Sequence, residues 1–382
     1  MPDEMDNTRM YAGGSYPLET IVRILGARVS GENIHSFRIS HLLTDSRQLV
    51  APVTSLFFAL KSPRNDGHRY IPELLYRGVR CFVVEPGEAF FPKDYPDAVF
   101  LISENPLKAL QQLAAFHRDN FNIPLTAITG SNGKTIVKEW LSQMLEYHLV
   151  VARNPKSFNS QIGVALSVWQ IGAVHTLGVF EAGISTVDEM QQLETILKPD
   201  TGIFTNIGPA HDSGFSSRQQ KIREKLRLFS NASNLIYCAD HSELREEILA
   251  WHPKQLSLFS WGIHPDADIR ILESAVVNNK RKLLLHYKGN EFWFRFPFND
   301  APSVENAMHC IAWMLLRGMP IEDIQRGLEK LQAIAMRLEL KEGINQCVII
   351  NDSYNADLAS LGIALDFLNS QRQDKPGSLI VS

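Results

Sequence analysis

The residues best equipped for chemistry are Thr129-Gly130-Ser131-Asn132-Gly133-Lys134-Thr135, set between the apolar segment PLTAIT and the helix-like segment IVKEWLSQMLEYH. A strand, a glycine loop and a helix start bring backbone N–H groups and the positive helix end toward a phosphate. Gly130 and Gly133 allow the tight turn and a close backbone approach, with Ser131 and Asn132 between them. Lys134 would reach the β- and γ-phosphates, and the Thr135 hydroxyl would ligate Mg²⁺. The general phosphate loop has four residues between its glycines; this one has two, with Ile128 where the first glycine would stand. A glycine turn with a chance lysine is the alternative, and the flanking strand and helix favour nucleotide binding.

Three further groups follow. The apolar segment HTLGVFE ends in Glu181, before Ala182-Gly183, where a carboxylate at a strand end could hold Mg²⁺ or simply be solvated. A second such segment runs into Asn206-Ile207-Gly208-Pro209-Ala210-His211, in which His211 is either structural or a ligand. In SSRQQKIREKLRLF, Ser217 with Gln220 reads as a capping box, and Ile222, Leu226 and Phe229 form an apolar helical stripe. Lys225 lies beside that stripe and by itself reads as a lysine snorkelling at the helix surface.

These groups need a scaffold, and 382 residues predict two or three domains. An apolar fraction of 45% with 21% charged residues suits a globular chain with several cores. The net charge of −4 gives no pointer to nucleic acid or an anionic membrane. Cys81, Cys238, Cys310 and Cys347 are far apart, without metal-ligand spacing, as expected of buried thiols in a reducing compartment. The start MPDEMDNTRMYAGG lacks a signal peptide's apolar core, and no apolar run reaches the roughly 18 residues a membrane helix needs. The expectation is a cytoplasmic protein.

Residues 1–14 read as a tail. Residues 15–121 alternate apolar runs (SLFFAL, CFVVE, AVFLI) with helix-like stretches such as PLKALQQLAAFHRDN, predicting a small α/β domain. Residues 122–338 predict a larger phosphate-loop α/β unit, with PLTAIT, HTLGVFE, DTGIFTN and SNLIYC in a mostly parallel sheet flanked by helices. Residues 339–382 read as the start of a Rossmann-like third unit: CVIIND, LASLGIALDFLNSQ, GSLIVS. Forty-four residues are too few for an independent core, so the reading is a shortened form of a longer protein.

Together these residues resemble the Mur ligase family over nearly the whole chain, and the short G-x-x-G-K-T loop is similar to that of Mur ligases and folylpolyglutamate synthases. The family's shared positions fall, in order, on Lys134, Asn159 of SFNSQIGVALSV, Glu181, His211, Asn306 of SVENAMHC, Arg337 of AMRLE and Asp352 of NDSYNAD. The resemblance implies ATP and Mg²⁺. Lys134 and the loop amides would hold phosphates, Thr135 and Glu181 one Mg²⁺, and His211 with a carbamylated lysine at Lys225 a second. Carbamylation makes an ammonium into an anionic oxygen ligand. Asn306 would touch adenine, and Arg337 and Asp352 phosphate and ribose, with Asn159 also on the cofactor side.

Within the family, VIINDSYNADLASL resembles the branch that joins D-alanyl-D-alanine to UDP-N-acetylmuramoyl-tripeptide through an acyl phosphate. TDSRQL and SLFFALKSPRNDGHRYI resemble UDP-sugar-binding segments, implying recognition around Thr44, Asp45, Ser46 and Arg47, which alone read as a plain turn. The chain departs from the pattern at Ser157 and Ser160, at Ala165, and at Pro302, where a histidine is common. S-x-N-S-Q-I-G resembles the branch fused to an alanine racemase. Rival readings are the ligase adding the third stem residue, against which YNA argues, and a folylpolyglutamate synthase, against which the UDP-sugar segments argue. The rival outside catalysis is a UDP-muramoyl-peptide- and ATP-binding fragment, inactive because its third unit is incomplete.

Overall fold

The computed structural model describes residues 14–32, 34–87, 95–208, 214–278, 280–335, 339–342 and 348–351, with a few isolated positions beyond. His211, Arg337 and Asp352 lie outside the described residues, as does most of LASLGIALDFLNSQ. Two compact units are present: residues 1–125 with 152–184 and 191–198, and residues 126–151 with 185–190 and 199–382.

The first unit is built on a five-stranded sheet of β1 (Arg28–Ser30), β2 (His41–Leu43), β3 (Ser55–Phe58), β4 (Cys81–Val84) and β5 (Val99–Ile102), in the order β1-β5-β4-β3-β2. The pairs β2–β3, β3–β4 and β4–β5 are parallel, and β1 closes the sheet antiparallel to β5. Every residue of β3 and β4 is buried, which explains the largely apolar runs SLFF and CFVV. Phe82 stacks on Phe100 with ring centroids 5.3 Å apart. Helix α1 (Leu18–Leu25) ends on the left-handed Gly26, and α2 (Pro106–Asp119) starts where the Asn105 side chain accepts from the Lys108 N–H. The unit also holds the helix Gln161–Val168, the strand Leu177–Glu181 and, from Ala152 on, its neighbour Val151–Arg153.

Among the described residues the main sheet of the second unit carries seven strands in both chain and sheet order: β6 (Leu125–Thr129), β7 (Thr201–Phe204), β8 (Asn234–Cys238), β9 (Ser257–Gly262), β10 (Ile269–Val277), β11 (Lys280–Tyr287) and β12 (Asn290–Phe296); a separate antiparallel pair joins Glu339–Glu342 to Val348–Asn351. Pairing is parallel from β6 to β10 and antiparallel from β10 to β12. Of the antiparallel strands, which the sequence reading did not identify, β12 alternates between buried and exposed residues along its second half, whereas β11 buries Leu283, Leu284 and Leu285 in a row between partly exposed ends. Helix α3 (Lys134–Leu145) follows β6 directly, α4 (Arg218–Leu226) precedes β8, and α5 (Ala301–Leu316) and α6 (Ile321–Glu329) follow β12.

Helix α5 is fixed at both ends. Asp300 accepts from the Ser303 N–H at its start, and Pro302 sits in the first turn, where a missing N–H costs nothing. Farther along, the buried Trp313 donates from Nε1 to Thr126 Oγ1 at 2.8 Å, tying the helix to β6. Burial pushes the thiols of Cys81 and Cys238 up to about 12 and raises that of Cys310 as well, as expected for inert core cysteines; Cys347 lies outside the described residues. Among the described residues no helix is long and apolar enough to cross a membrane.

The outer strand β12 is closed off by a side chain. Gln325 of α6 accepts from the Arg295 N–H at 2.9 Å and donates to the Arg295 carbonyl at 3.1 Å, replacing a neighbouring strand at that residue. Gln325→Ala is expected to cost about 1–2 kcal/mol of stability and to raise self-association with concentration. Light scattering over a dilution series checks this, and a variant that stays as monodisperse as the parent contradicts it.

Candidate functional site

The glycine loop lies at the C-terminal ends of β6 and β7, where parallel sheets leave backbone groups open to a ligand. Gly130 has φ +144° and Gly133 φ +80°, both in the region that favours glycine. A Cβ on Gly130 would stand 2.0 Å from Thr205 Oγ1, and one on Gly133 would stand 2.3 Å from Asn306 Oδ1. Neither glycine admits a side chain, and Asn306 of α5 is thereby placed against the loop.

The end of β7 grips the loop from below. Thr205 Oγ1 donates to the Asn132 carbonyl at 2.6 Å. The Asn206 carbonyl accepts from the Ser131 N–H at 2.9 Å, and its side-chain oxygen accepts from the Asn132 N–H at 3.0 Å. Two loop amides that the motif alone would aim at a phosphate are thus bonded to Asn206. Ser131 Oγ donates to the Gly208 carbonyl and accepts from the Gly208 N–H. Behind Thr205, the fully buried His309 accepts on Nδ1 from Trp261 Nε1 at 3.1 Å, so its Nε2–H donates to the Thr205 carbonyl at 3.2 Å.

Three lysines converge here. Lys134 Nζ donates to the carbonyls of Gly130 and Ser131, both at 2.8 Å. Lys225 Nζ, 3% exposed, reaches the same Gly130 carbonyl at 3.3 Å, and Lys221, 1% exposed, donates to the Gly208 carbonyl. The surface-snorkelling reading of Lys225 is therefore overturned, because α4 turns that face inward. Burial first, then the charges of Lys134 and Lys221, depress the Lys225 amine well below the ordinary lysine value. The Ser217 cap on α4 stands, its Oγ accepting from the Gln220 N–H; the Gln220 side chain instead reaches Ser216.

A second polar chain meets the loop from the side. Glu305, beside Asn306 on α5, accepts from Asn206 Nδ2 at 3.1 Å and pairs with His241 Nε2 at 3.2 Å. Burial alone would raise the Glu305 carboxyl, but the His241 bond, neighbouring histidine charge and the Asn206 bond hold it below its usual value. The Glu305 bond in turn raises His241 against the opposing effect of its burial.

In the first unit, Glu181 is fully buried at its strand end, and its backbone is clamped by Asn154, whose Oδ1 accepts from the Glu181 N–H at 2.7 Å. Asn154 Nδ2 also donates to the Phe158 carbonyl at 2.7 Å. Asn159 lies close by, its carbonyl accepting from the Gly183 N–H at 2.8 Å. Asp45 caps the turn Ser46–Gln48 and holds the Arg47 guanidinium, whose hydrogen bond is the main cause of the lowered Asp45 carboxyl. Ser46 is buried and gives its carbonyl to Arg77. Arg47 lines a cavity of about 390 Å³ with His41, Val50, Lys156, Phe158 and Trp169; Thr44, Asp45 and Ser46 do not line it. The Trp169 indole is fixed by its bond to the Ser40 carbonyl at 2.9 Å, and burial lowers the pKa of His41.

The family description "Mur ligase middle domain" matches residues 128–314. The UDP-N-acetylmuramoyl-tripeptide–D-alanyl-D-alanine ligase of Bacillus subtilis (strain 168) is 30% identical over 335 residues, covering 87% of this chain and 70% of the relative. The chain belongs to the Mur ligase family. Its fold is similar to a crystal structure of MurF from Acinetobacter baumannii, with a TM-score of 0.82 and 25% identity, over 94% of this chain and 78% of that one. A MurF ligase from Thermotoga maritima in complex with ADP shares the fold at a TM-score of 0.73 and 21% identity, over 86% and 74% of the two chains.

The second unit thus brings together Gly130, Ser131, Asn132, Gly133, Lys134, Thr135, Lys225 and Asn306 of this Mur ligase, while Asn159 and Glu181 lie in the first, where the Asn159 carbonyl holds the Gly183 N–H. Asn154, Lys221, His241 and Glu305 received no role in the sequence reading, and Asn206 was named there only as the lead into His211; Glu305 adjoins Asn306, whereas no spacing pairs 241 with 305. One consequence is testable through pH. Burial lowers His309 from 6.5 to about 4, so the folded state prefers it neutral. Its contribution is complete above pH 6.5 and is lost as pH falls toward about 4. Thermal unfolding of His309→Gln is expected to decline less steeply than the parent across that interval. Parallel curves would contradict this.

Proposed function

We propose that this Mur ligase joins D-alanyl-D-alanine to UDP-N-acetylmuramoyl-tripeptide in an ATP-dependent amide ligation, with the loop 130–135 as its nucleotide site. The observation that carries the site assignment is the meeting of two lysine amines, Lys134 and Lys225, on one carbonyl of a loop without room for a Cβ. Lys221, itself buried, adds a third amine beside them, and the half-buried Lys134 supplies positive charge for a polyphosphate.

In the reaction the γ-phosphoryl passes to the terminal carboxylate of the tripeptide. The D-alanyl-D-alanine amine attacks the resulting acyl phosphate, and phosphate leaves as the amide forms. Lys134 binds and neutralises the transferring phosphoryl group, and Asn306 orients the base from the other side of Gly133. No protein nucleophile enters the scheme. The family resemblance assigns Thr135 and Glu181 to one Mg²⁺ and His211 with a carbamylated Lys225 to a second, and bound Mg²⁺ would supply charge neutralisation for the phosphoryl oxygens. Arg337 and Asp352 are assigned to phosphate and ribose. The UDP end of the substrate fits the first-unit cavity, where Arg47 and Lys156 offer charge for a diphosphate and Trp169 and Phe158 offer apolar surface for a base.

Carbamylation suits Lys225 for a physical reason. Only a neutral amine attacks CO₂, and the surroundings that depress this amine also favour an anionic product between two other lysines.

Two measurements test these assignments. Calorimetric titration is expected to show tighter binding of UDP-N-acetylmuramoyl-tripeptide than of the dipeptide form; the reverse order would move the chain to the preceding ligase. In ¹³C-bicarbonate, a carbamate carbon resonance is expected from the parent and not from Lys225→Arg, whose kcat should fall about a hundredfold or more. An unlabelled parent would refute the modified lysine.

A further inference from the structure

Glu305 occupies an unusual position for a residue with no assigned task. Its Oε1 takes two donors, Asn206 Nδ2 at 3.1 Å and His241 Nε2 at 3.2 Å. Beyond it, Asn206 Oδ1 accepts from the Asn132 N–H at 3.0 Å, while the Asn206 carbonyl holds the Ser131 N–H at 2.9 Å. An asparagine carboxamide can present its oxygen or its NH₂ in either direction. A backbone N–H requires the oxygen, and a carboxylate, which only accepts, requires the NH₂. A carboxylate at position 305 therefore dictates that the oxygen of Asn206 faces the loop.

His241 completes the chain by holding Glu305 in the ionised form, and the two groups shift each other in the matching directions. A simple ion pair would account for His241 and Glu305 alone. It would not account for an asparagine set between that carboxylate and a loop amide, nor for Asn306, the next residue, lying against Gly133.

We propose that Glu305 is a positioning residue for the nucleotide loop, acting through the Asn206 side chain, whose orientation it sets, to hold the Asn132 amide and hence the shape of the phosphate cradle. The inference rests on the reading of loop 130–135 as the ATP site. It assigns His241 a supporting place as the donor that anchors the carboxylate.

The two side chains make a reversal experiment possible, read by calorimetric titration of the full chain with Mg²⁺ and ADP. Glu305→Gln alone removes the carboxylate that selects the Asn206 orientation, and ADP affinity is expected to fall about fivefold. Asn206→Asp alone sets two carboxylates against each other, with an expected loss of at least about tenfold. In Asn206→Asp, adding Glu305→Gln supplies an NH₂ to the new carboxylate, so the same substitution that weakens the parent should strengthen this variant. A merely structural carboxylate would not reverse sign.

If Glu305→Gln shifts affinity by the same factor in both backgrounds, or not at all in a parent that binds ADP, the proposal is overturned and the nucleotide site stands. A folded parent that takes up no ADP overturns the nucleotide reading, and this proposal with it. Should Asn206→Asp lose its cooperative unfolding transition, Asn206→Ala replaces it. Glu305→Gln must then have no effect on ADP affinity, because the residue it acts through is gone, and any remaining effect counts against the proposal.

Discussion

The second unit depends on one steric constraint: the backbone of Gly130 and Gly133 lies closer to Thr205 and Asn306 than a Cβ permits. Once the loop is pressed that tightly against the end of β7 and the first turns of α5, both must be held in place. The molecule does this with buried bonds to aromatic and imidazole N–H groups. Trp313 ties α5 to β6, and Trp261 fixes the tautomer of His309, which then holds the Thr205 carbonyl. Each of these donors is costly to leave unpaired in the core, so together they specify one arrangement of the loop.

Charge is handled differently in the two units. Around the loop, the buried Lys221 and Lys225 lie close to the half-buried Lys134, an arrangement unfavourable to charge on all three that an anion, bound or covalently formed, relieves. In the first unit Arg47 is largely exposed and already paired with Asp45, so its charge is shared and screened. The buried cluster is suited to discriminating a highly charged partner, and the exposed pair to guiding one into a cavity whose walls mix polar and apolar side chains.

Much of this was legible in the sequence, for identifiable reasons. The parallel strands announced themselves because strands buried on both faces are largely apolar, as SLFF, CFVV and LTAIT are. The loop was legible because glycines at those two positions cannot be exchanged. The antiparallel strands β10–β12 were not, since half of their residues face solvent. Lys225 was misread because a lysine on an amphipathic helix normally reaches water, and nothing local to α4 reveals that Gly130 lies over it. Asn206, Glu305 and His241 come together only through the order of β7, β8 and α5, which no local pattern contains. The same holds for Asn154, whose partner Glu181 is 27 positions away.

The buried thiols carry a consequence of their own. Cys81 lies in the sheet of the first unit and Cys238 in that of the second, each raised to about 12 by burial. Neither is a competent nucleophile while its sheet is closed, so an alkylating reagent under native conditions modifies each only during a local opening. The two labelling rates become separate clocks, one per unit, that time how often each core exposes itself to solvent.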